Sequence, residues 1–444
     1  MNKYETYKST GLDWIGKIPE QWETIRVKGN CYVKGRIGWQ ELKADEFIDE
    51  GIHCVTGTDF QRQFVNWQSC YRVSLERYLI DDNIQLKEGD VLITKDGTIG
   101  KTALVKNLPE KATLNSGIFL VRPEKKKLTN EYLYWILNST VFEDFNNYTK
   151  TGATILHLYQ NVFVEMHFPL PTEIEQLSIA KYLDHQTQKI DCLIANKKAQ
   201  ADKLKELRQI EINNAVTKGL NPNAELKDSG IDWLGEIPKH WAVKRLKNVS
   251  NFIQTGITPP SEKSEYYDGD IPWYGPGGFN GDTILSNPAK YITQKAIEDN
   301  EAKLFPIDCI FMIGIGATIG KVGIIKEPSS CNQQLNIVNF KSYVSPDFGV
   351  YLLKTYENII IKIANFSTLP IYNQVQTGNL KFLLPPKEEQ LQIAKYLQER
   401  TAAIDKLIIN IDAQIEKLQE LRKIKIYEAV TGKIKVNAYV EATA

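Results

Sequence analysis

The sequence predicts an α+β fold built twice: two mixed α/β domains separated by two long antiparallel coiled-coil helices, related as a pseudo-two-fold repeat. Three observations predict it. Glu175-Gln-Leu-Ser-Ile-Ala-Lys-Tyr-Leu183 returns as Glu389-Gln-Leu-Gln-Ile-Ala-Lys-Tyr-Leu397, and the match continues at the same offset of 214 through Ile190-Asp191 and Ile404-Asp405, Leu207-Arg208 and Leu421-Arg422, and Ala215-Val216-Thr217 and Ala429-Val430-Thr431. A repeat of this kind governs how the rest of a chain is read. Each copy opens a long stretch whose apolar residues fall on alternating four- and three-residue steps. Before each copy lie short β-rich runs broken by Gly, Asn and Asp.

Length and composition agree with two domains and two helices. A chain of 444 residues holds two or three cores, and 24% charged with 42% hydrophobic residues is ordinary for a globular protein. No apolar run approaches membrane-span length and the first residues lack a signal-peptide core, so a cytoplasmic location is expected. The six cysteines, at 31, 54, 70, 192, 309 and 331, form no Cys-x-x-Cys pair and have no His cluster beside them. Neither a metal site nor a disulfide framework is expected. Net charge is zero, and residues 1–170 carry 21 Lys and Arg against 22 Asp and Glu. A nucleic-acid binder of this composition needs local basic surface or a partner that supplies charge.

In chain order, Gly11-Leu-Asp-Trp-Ile-Gly-Lys-Ile-Pro19, followed by Trp22, is an apolar arm expected to pack across a domain. Val91–Thr94 and Ile118–Arg122 read as strands, and a helix is expected from Asn130 to Asn146, where Leu133, Ile136, Leu137 and Val141 share helical spacing. Thr172 and Glu175 form a capping-box pattern, and no Gly or Pro occurs from Glu173 to Lys218. Gly219 and Pro222 then give the stop signal for a helix of about 65 Å. Ile179, Leu183, Ile190, Leu193, Leu204 and Leu207 form its predicted seam. In the second helix the seam is Ile393, Leu397, Ile404, Leu407, Ile411, Leu418 and Leu421, and each seam is expected to pack on the other.

The arm recurs as Gly230-Ile-Asp-Trp-Leu-Gly-Glu-Ile-Pro238, followed by Trp241, and Asp90-Val-Leu-Ile-Thr-Lys-Asp-Gly-Thr-Ile-Gly-Lys101 is answered by a run from Asp308 to Lys321 that is two residues longer. Ile253-Gln-Thr-Gly-Ile-Thr-Pro-Pro260 and the Gly-rich Tyr274–Gly281 have no close counterpart in the first half. The expected divisions are a first domain over 1–171, a helix over 172–219, a second domain over 220–385, a helix over 386–433 and a tail over 434–444.

Catalytic motifs do not emerge. The two Thr-Ile-Gly-Lys turns lack the glycine four residues before Gly-Lys that a phosphate-binding loop needs. They read as glycine turns between strands or as turns whose Lys touches a nucleic-acid phosphate. Asp270-Ile-Pro-Trp273 approximates a base-holding motif of adenine methyltransferases, without its first proline and without a Gly-rich turn for a methyl donor.

Taken together, the Glu-Gln-x-x-Ile-Ala-x-x-Leu helix starts, the Trp- and Pro-bearing arms, the Thr-Ile-Gly-Lys turns and the Thr-Gly-Ile-Thr-Pro loop resemble the specificity subunit of type I restriction-modification systems. The resemblance covers essentially the whole chain. It implies a non-catalytic subunit in which each variable domain reads one half of a bipartite, asymmetric DNA target and the helices act as a spacer. It implies docking of two modification subunits, which bind S-adenosylmethionine and methylate adenine N6, and of restriction subunits that use ATP and Mg. No cofactor is expected on this chain.

Within that frame the DNA-binding candidates are Arg36 and Gln40 in the first domain and Gln254, Thr255 and Thr258 in the second, because Gln pairs with adenine and Arg with guanine. Lys101 and Lys321 are phosphate candidates. Gln176, Ile179, Tyr182 and Leu183, with Gln390, Ile393, Tyr396 and Leu397, are the partner-docking candidates. On the residues alone, a self-contained nucleic-acid methyltransferase and a coiled-coil adaptor without a DNA role stay open.

Overall fold

The computed structural model describes residues 3–36, 42–125, 127–149, 157–366 and 369–436. The chain forms two compact units, residues 1–198 with 413–444, and residues 199–412. Each unit therefore holds one α/β domain, half of the first long helix and half of the second.

The domains share a frame. In the first unit the main sheet places Cys31–Gly35, Ile118–Pro123, Val91–Thr94 and Thr102–Leu104 side by side, extended by Phe64–Val65 and Phe60–Gln61. In the second unit Ser250–Thr255, Leu335–Phe340, Ile310–Ile313 and Val322–Ile324 take the same four places. Both copies are antiparallel throughout these four strands, and Val91–Thr94 and Ile310–Ile313 are wholly buried runs. A continuous apolar run covered on both faces is what such a central strand requires.

The region expected to be one helix from Asn130 to Asn146 is two, Asn130–Leu137 and Thr140–Thr149. The break has a local cause. Asn138 turns its amide back onto the Tyr134 carbonyl (2.8 Å) and onto Thr102 Oγ1, and Ser139 Oγ donates to the Ile136 carbonyl at 2.6 Å. Short polar side chains that bond to nearby backbone compete with helix continuation.

The long helices run Glu173–Lys218 and Lys387–Val430. The first opens with the predicted box: Glu175 N donates to Thr172 Oγ1 (3.4 Å) while Thr172 N donates to Glu175 Oε2 (3.1 Å). Beyond the helices, Gly219 and Gly432 sit at φ +72° and +69°, the left-handed geometry that favours glycine after a helix.

Within each unit the two helices lie antiparallel. In the first, Ile179 and Leu183 share a core with Ile426 and Val430. In the second, Ile212 and Val216 share one with Ile393 and Leu397. The predicted seams are only partly buried. Ile179, Leu183, Ile190, Ile393, Leu397 and Ile404 are buried, whereas Leu193 and Leu407 are 50% and 51% exposed and Leu207 and Leu421 also face solvent. The domains supply much of the cover near the helix starts, and that cover ends before the middle of each seam.

The arms lock each helix start to its domain. Trp22, buried, donates through Nε1 to Glu175 Oε1 at 3.3 Å, and Trp241, equally buried, donates to Glu389 Oε2 at 3.1 Å. Tyr4 adds a hydroxyl to Glu175 Oε1 at 3.0 Å. Among the described residues no helix is long and apolar enough to cross a membrane.

Candidate nucleic-acid interface

The strand registers bring the same loops to one end of each main sheet. In the second domain, Thr255 pairs with Asn336 and Ile313 with Leu335. The loop after Thr255, the loop before Leu335 and the turn from Gly314 to Lys321 therefore meet at one edge. In the first domain Gly35 pairs with Phe119 and Thr94 with Ile118, which gathers the loop after Gly35, the Asn115–Gly117 loop and the turn from Lys95 to Lys101. A further segment crosses each turn, through bridges between Asp96 and His157 and between Ile315 and Ile371.

Both Thr-Ile-Gly-Lys motifs are tight connections between adjacent antiparallel strands. Thr94 N donates to the Lys101 carbonyl at 2.9 Å, and Ile313 N to that of Lys321 at 2.9 Å. Gly100 and Gly320 take φ +88° and +86°, so glycine is the residue the turn favours. Lys101 is exposed and Lys321 half-buried, both at the loop edge.

In the second domain Gln254 and Thr258 are exposed and Thr255 is half-buried. Their loop is pinned at several points. Trp273 Nε1 donates to the Ile257 carbonyl (3.1 Å), Tyr267 Oη to that of Pro259 (2.6 Å), and Thr258 Oγ1 to Gln333 Oε1 (2.6 Å). A Cβ at Gly256 would lie 1.9 Å from the Cys331 carbonyl oxygen, so only glycine lets the backbone pass there. Trp273, the aromatic of the Asp-Ile-Pro-Trp run, is buried as part of this support.

The first domain solves the same position differently. By register Arg36 corresponds to Gly256 and Leu114 to Cys331. Arg36 is 2% exposed, its Nε donates to the Leu114 carbonyl at 2.9 Å, and Nη2 donates to Thr113 Oγ1 at 3.3 Å. Burial pushes its guanidinium pKa down. Where the second domain brings its backbone close to Cys331, the first domain sets a buried arginine side chain against Leu114. Gln40 lies outside the described residues.

The helix candidates face inward. Gln176 accepts from Thr129 N (2.9 Å) and donates to the carbonyls of Lys127 (2.7 Å) and Pro171 (2.9 Å). Gln390 accepts from Ser345 N (2.7 Å) and donates to the carbonyls of Tyr343 (3.3 Å) and Pro385 (2.8 Å). Thr129 and Ser345 are the N-caps of the helices Asn130–Leu137 and Pro346–Lys354, so the repeated Gln clamps an equivalent helix start in each domain. Ile179, Leu183, Ile393 and Leu397 are core residues, Tyr182 is buried, and Tyr396 Oη donates to Glu211 at 2.7 Å. Seven of these eight side chains are buried inside the chain's own core, whereas Tyr396 is half-exposed. The exposed apolar positions that recur on both helices are instead Leu177, Leu193, Leu207 and Ile210, with Leu391, Leu407, Leu421 and Ile424 at the offset of 214, while Ile174 and Ile409 are exposed without an equivalent. The apolar spacing predicts an internal Leu seam, and only side-chain burial distinguishes the two faces.

Among the described residues no group of three or more His, Cys, Asp and Glu side chains is placed to hold a metal ion. The geometry is that of two polar loop ends on a shared frame.

Comparison with known proteins agrees with that geometry. The family described as type I restriction modification DNA specificity domain matches residues 19–203 and again 238–417. The chain belongs to this family and carries two such domains. It is 27% identical over 436 residues to the type I restriction enzyme MjaVIII specificity subunit of Methanocaldococcus jannaschii, covering 95% of this chain and 94% of the relative. It is 20% identical over 446 residues to the EcoKI specificity subunit of Escherichia coli strain K12, covering 94% and 90%. Among solved structures, a chain from work on complex assembly and conformational transition of the type I R-M system shares the fold with a TM-score of 0.74, 18% identity, and coverage of 94% and 99%. The HsdS subunit from Thermoanaerobacter tengcongensis gives a TM-score of 0.50 at 17% identity, covering 94% and 98%. The chain is thus a specificity subunit, the recognition component of a multisubunit restriction enzyme and not its catalytic one.

Proposed function

We propose that residues 1–171 and 220–385 are two target recognition domains, each reading one half of a bipartite, asymmetric DNA sequence in the cytoplasm, with helices 172–219 and 386–433 as the spacer. The observation that carries this reading is a common frame ending in unlike loops. The strands, arms and helix clamps repeat, while the loop tips differ: Arg36 against Gly256, and Ser116 against Gln333. Unequal readers on equal frames make the recognised sequence asymmetric, as a two-fold scaffold on DNA requires. Gln254, Thr255 and Thr258 are the proposed base-facing residues, and Lys101 and Lys321 the proposed phosphate contacts.

The repeated exposed leucines and isoleucines on the helices fit two copies of one partner, a modification subunit that binds S-adenosylmethionine and methylates a flipped adenine. Restriction subunits using ATP and Mg would complete the assembly. The balanced charge of the chain fits a complex in which partners close around the duplex and supply phosphate contacts.

The test is methyl transfer from labelled S-adenosylmethionine to DNA of mixed sequence. The purified chain alone transfers nothing, and the chain with its modification subunits transfers at a bipartite site. Appreciable transfer by the chain alone overturns the proposal in favour of a self-contained methyltransferase.

A further inference from the structure

We infer that Gln333 is a base-reading residue of the second domain, specific for adenine, and that Thr258, beside its proposed place at the base-facing edge, also positions it. The inference rests on the DNA-reading role proposed for that domain. Four observations support it.

First, Gln333 is exposed at the tip of the loop that enters strand Leu335–Phe340, at the sheet edge shared with Thr255, Thr258 and the turn ending at Lys321. Second, the loop around it is rigid. Asn332 N donates to the Tyr274 carbonyl (3.0 Å), Gln334 N to Asn332 Oδ1 (3.0 Å), Asn332 Nδ2 to Gln334 Oε1 (2.8 Å), and Gly314 N to the Gln334 carbonyl (2.8 Å). The two flanking side chains are committed to the loop itself, which leaves Gln333 to project from it.

Third, the first domain builds the same loop with a different tip. Asn115 N donates to the Val55 carbonyl (2.9 Å) and Lys95 N to that of Gly117 (2.9 Å), matching the Asn332 and Gly314 bonds one for one. Ser116 therefore occupies the place of Gln333. A fixed loop whose tip residue changes from one reader to the other is what distinct half-sites need.

Fourth, the Thr258 hydroxyl donates to Gln333 Oε1 at 2.6 Å. An amide oxygen has two acceptor sites and the amide nitrogen two donors. With one acceptor site taken by Thr258, the second remains to accept from adenine N6 while Nε2 donates to N7, the bidentate pairing of Gln with adenine in the major groove. In this arrangement the amide presents one acceptor and one donor, which matches adenine N6 and N7, whereas O6 and N7 of guanine both need donors.

The experiment uses the full chain in complex with its modification subunits, and duplexes carrying the methylated sequence or each single base-pair change. Dissociation constants are measured at one salt concentration. Gln333→Ala is expected to abolish about ten- to hundredfold discrimination at a single A·T position of the second domain's half-site and leave the other positions unchanged. Thr258→Ala should lose part of the same discrimination, and Thr258→Ser should retain it. Unchanged discrimination at every position, loss at a G·C position, or an equal loss of affinity for target and unrelated DNA would each overturn the assignment. Exchange of residues 220–385 for another specificity subunit's domain separates the two levels. If that exchange alters one half-site while Gln333→Ala alters nothing, the Gln333 assignment fails and the domain's reading role stands.

Discussion

Arg208 Nε lies 2.9 Å from Asp405 Oδ1, and the residues one repeat away, Arg422 Nε and Asp191 Oδ1, meet at 3.0 Å. Each pair joins the two long helices inside one compact unit. The same contact is made once in each unit, with the helices exchanged. The bridges are partly exposed, so their worth is modest. Arg208→Ala is expected to cost about 0.5–1 kcal/mol, and the swap Arg208→Asp with Asp405→Arg to recover most of it. Urea unfolding of the parent, Arg208→Ala and the double swap checks this.

Gln176 and Gln390 offer a larger effect. Gln176→Ala leaves the Thr129 N–H and the carbonyls of Lys127 and Pro171 without their partner in a buried site. A loss of about 2–4 kcal/mol follows from leaving such groups unpaired. Gln390→Ala should behave alike in its own domain. Denaturant midpoints give the loss, and partner affinity measured where the variant is still folded should be near that of the parent.

Glu175 links folding to pH. Burial would raise its carboxyl pKa, but hydrogen bonds from the side chain and backbone of Thr172, from Trp22 and from Tyr4 outweigh it and hold the group below the usual carboxylate range. A depressed folded value stabilises the fold above the unfolded carboxylate pKa of about 4.3, and that stabilisation is lost as pH falls through the folded value. Glu175→Gln should therefore lower Tm most at neutral pH, with the gap closing in acid. Melting curves from pH 7 to pH 3 measure it.

The exposed helix positions predict stoichiometry. Leu207→Glu with Ile210→Glu should remove one modification subunit from the complex, and adding Leu421→Glu with Ile424→Glu should remove the second. These side chains are exposed, so the circular dichroism spectrum should not change. Light scattering on the assembled complexes reads the number of partners.

Gly256→Ala should displace the loop from Thr255 to Pro260, because the new Cβ would meet Cys331 O at 1.9 Å and Cys331 Sγ at 2.5 Å. Specific DNA affinity is expected to fall at least tenfold through the second half-site. Binding assays on duplexes altered in one half-site at a time locate the defect.

Much of this arrangement is legible in the residues. The capping box at Thr172 and the uninterrupted run to Lys218 fix the first helix to the residue, since backbone signals of this kind are local. The apolar runs Val91–Thr94 and Ile118–Arg122 mark strands for the same reason. What the sequence does not reveal is which face of a repeated apolar pattern is covered. Leu183 and Leu193 look alike in the heptad, yet one is fully buried and the other half exposed, because cover comes from a domain distant in sequence. Arg36 was legible as a polar loop residue, but its burial against Leu114 depends on a strand 78 residues away. Gln333 is not marked in the sequence, because a short polar run before a strand gives no local signal of the loops gathered around it.

The central claim is that each domain reads its own half of the target. Its most direct measurement is methylome sequencing of the source strain after residues 220–385 are exchanged for the corresponding domain of another specificity subunit. The account predicts that one half of the methylated sequence changes and the other half is retained. A methylated sequence unchanged in both halves would contradict it.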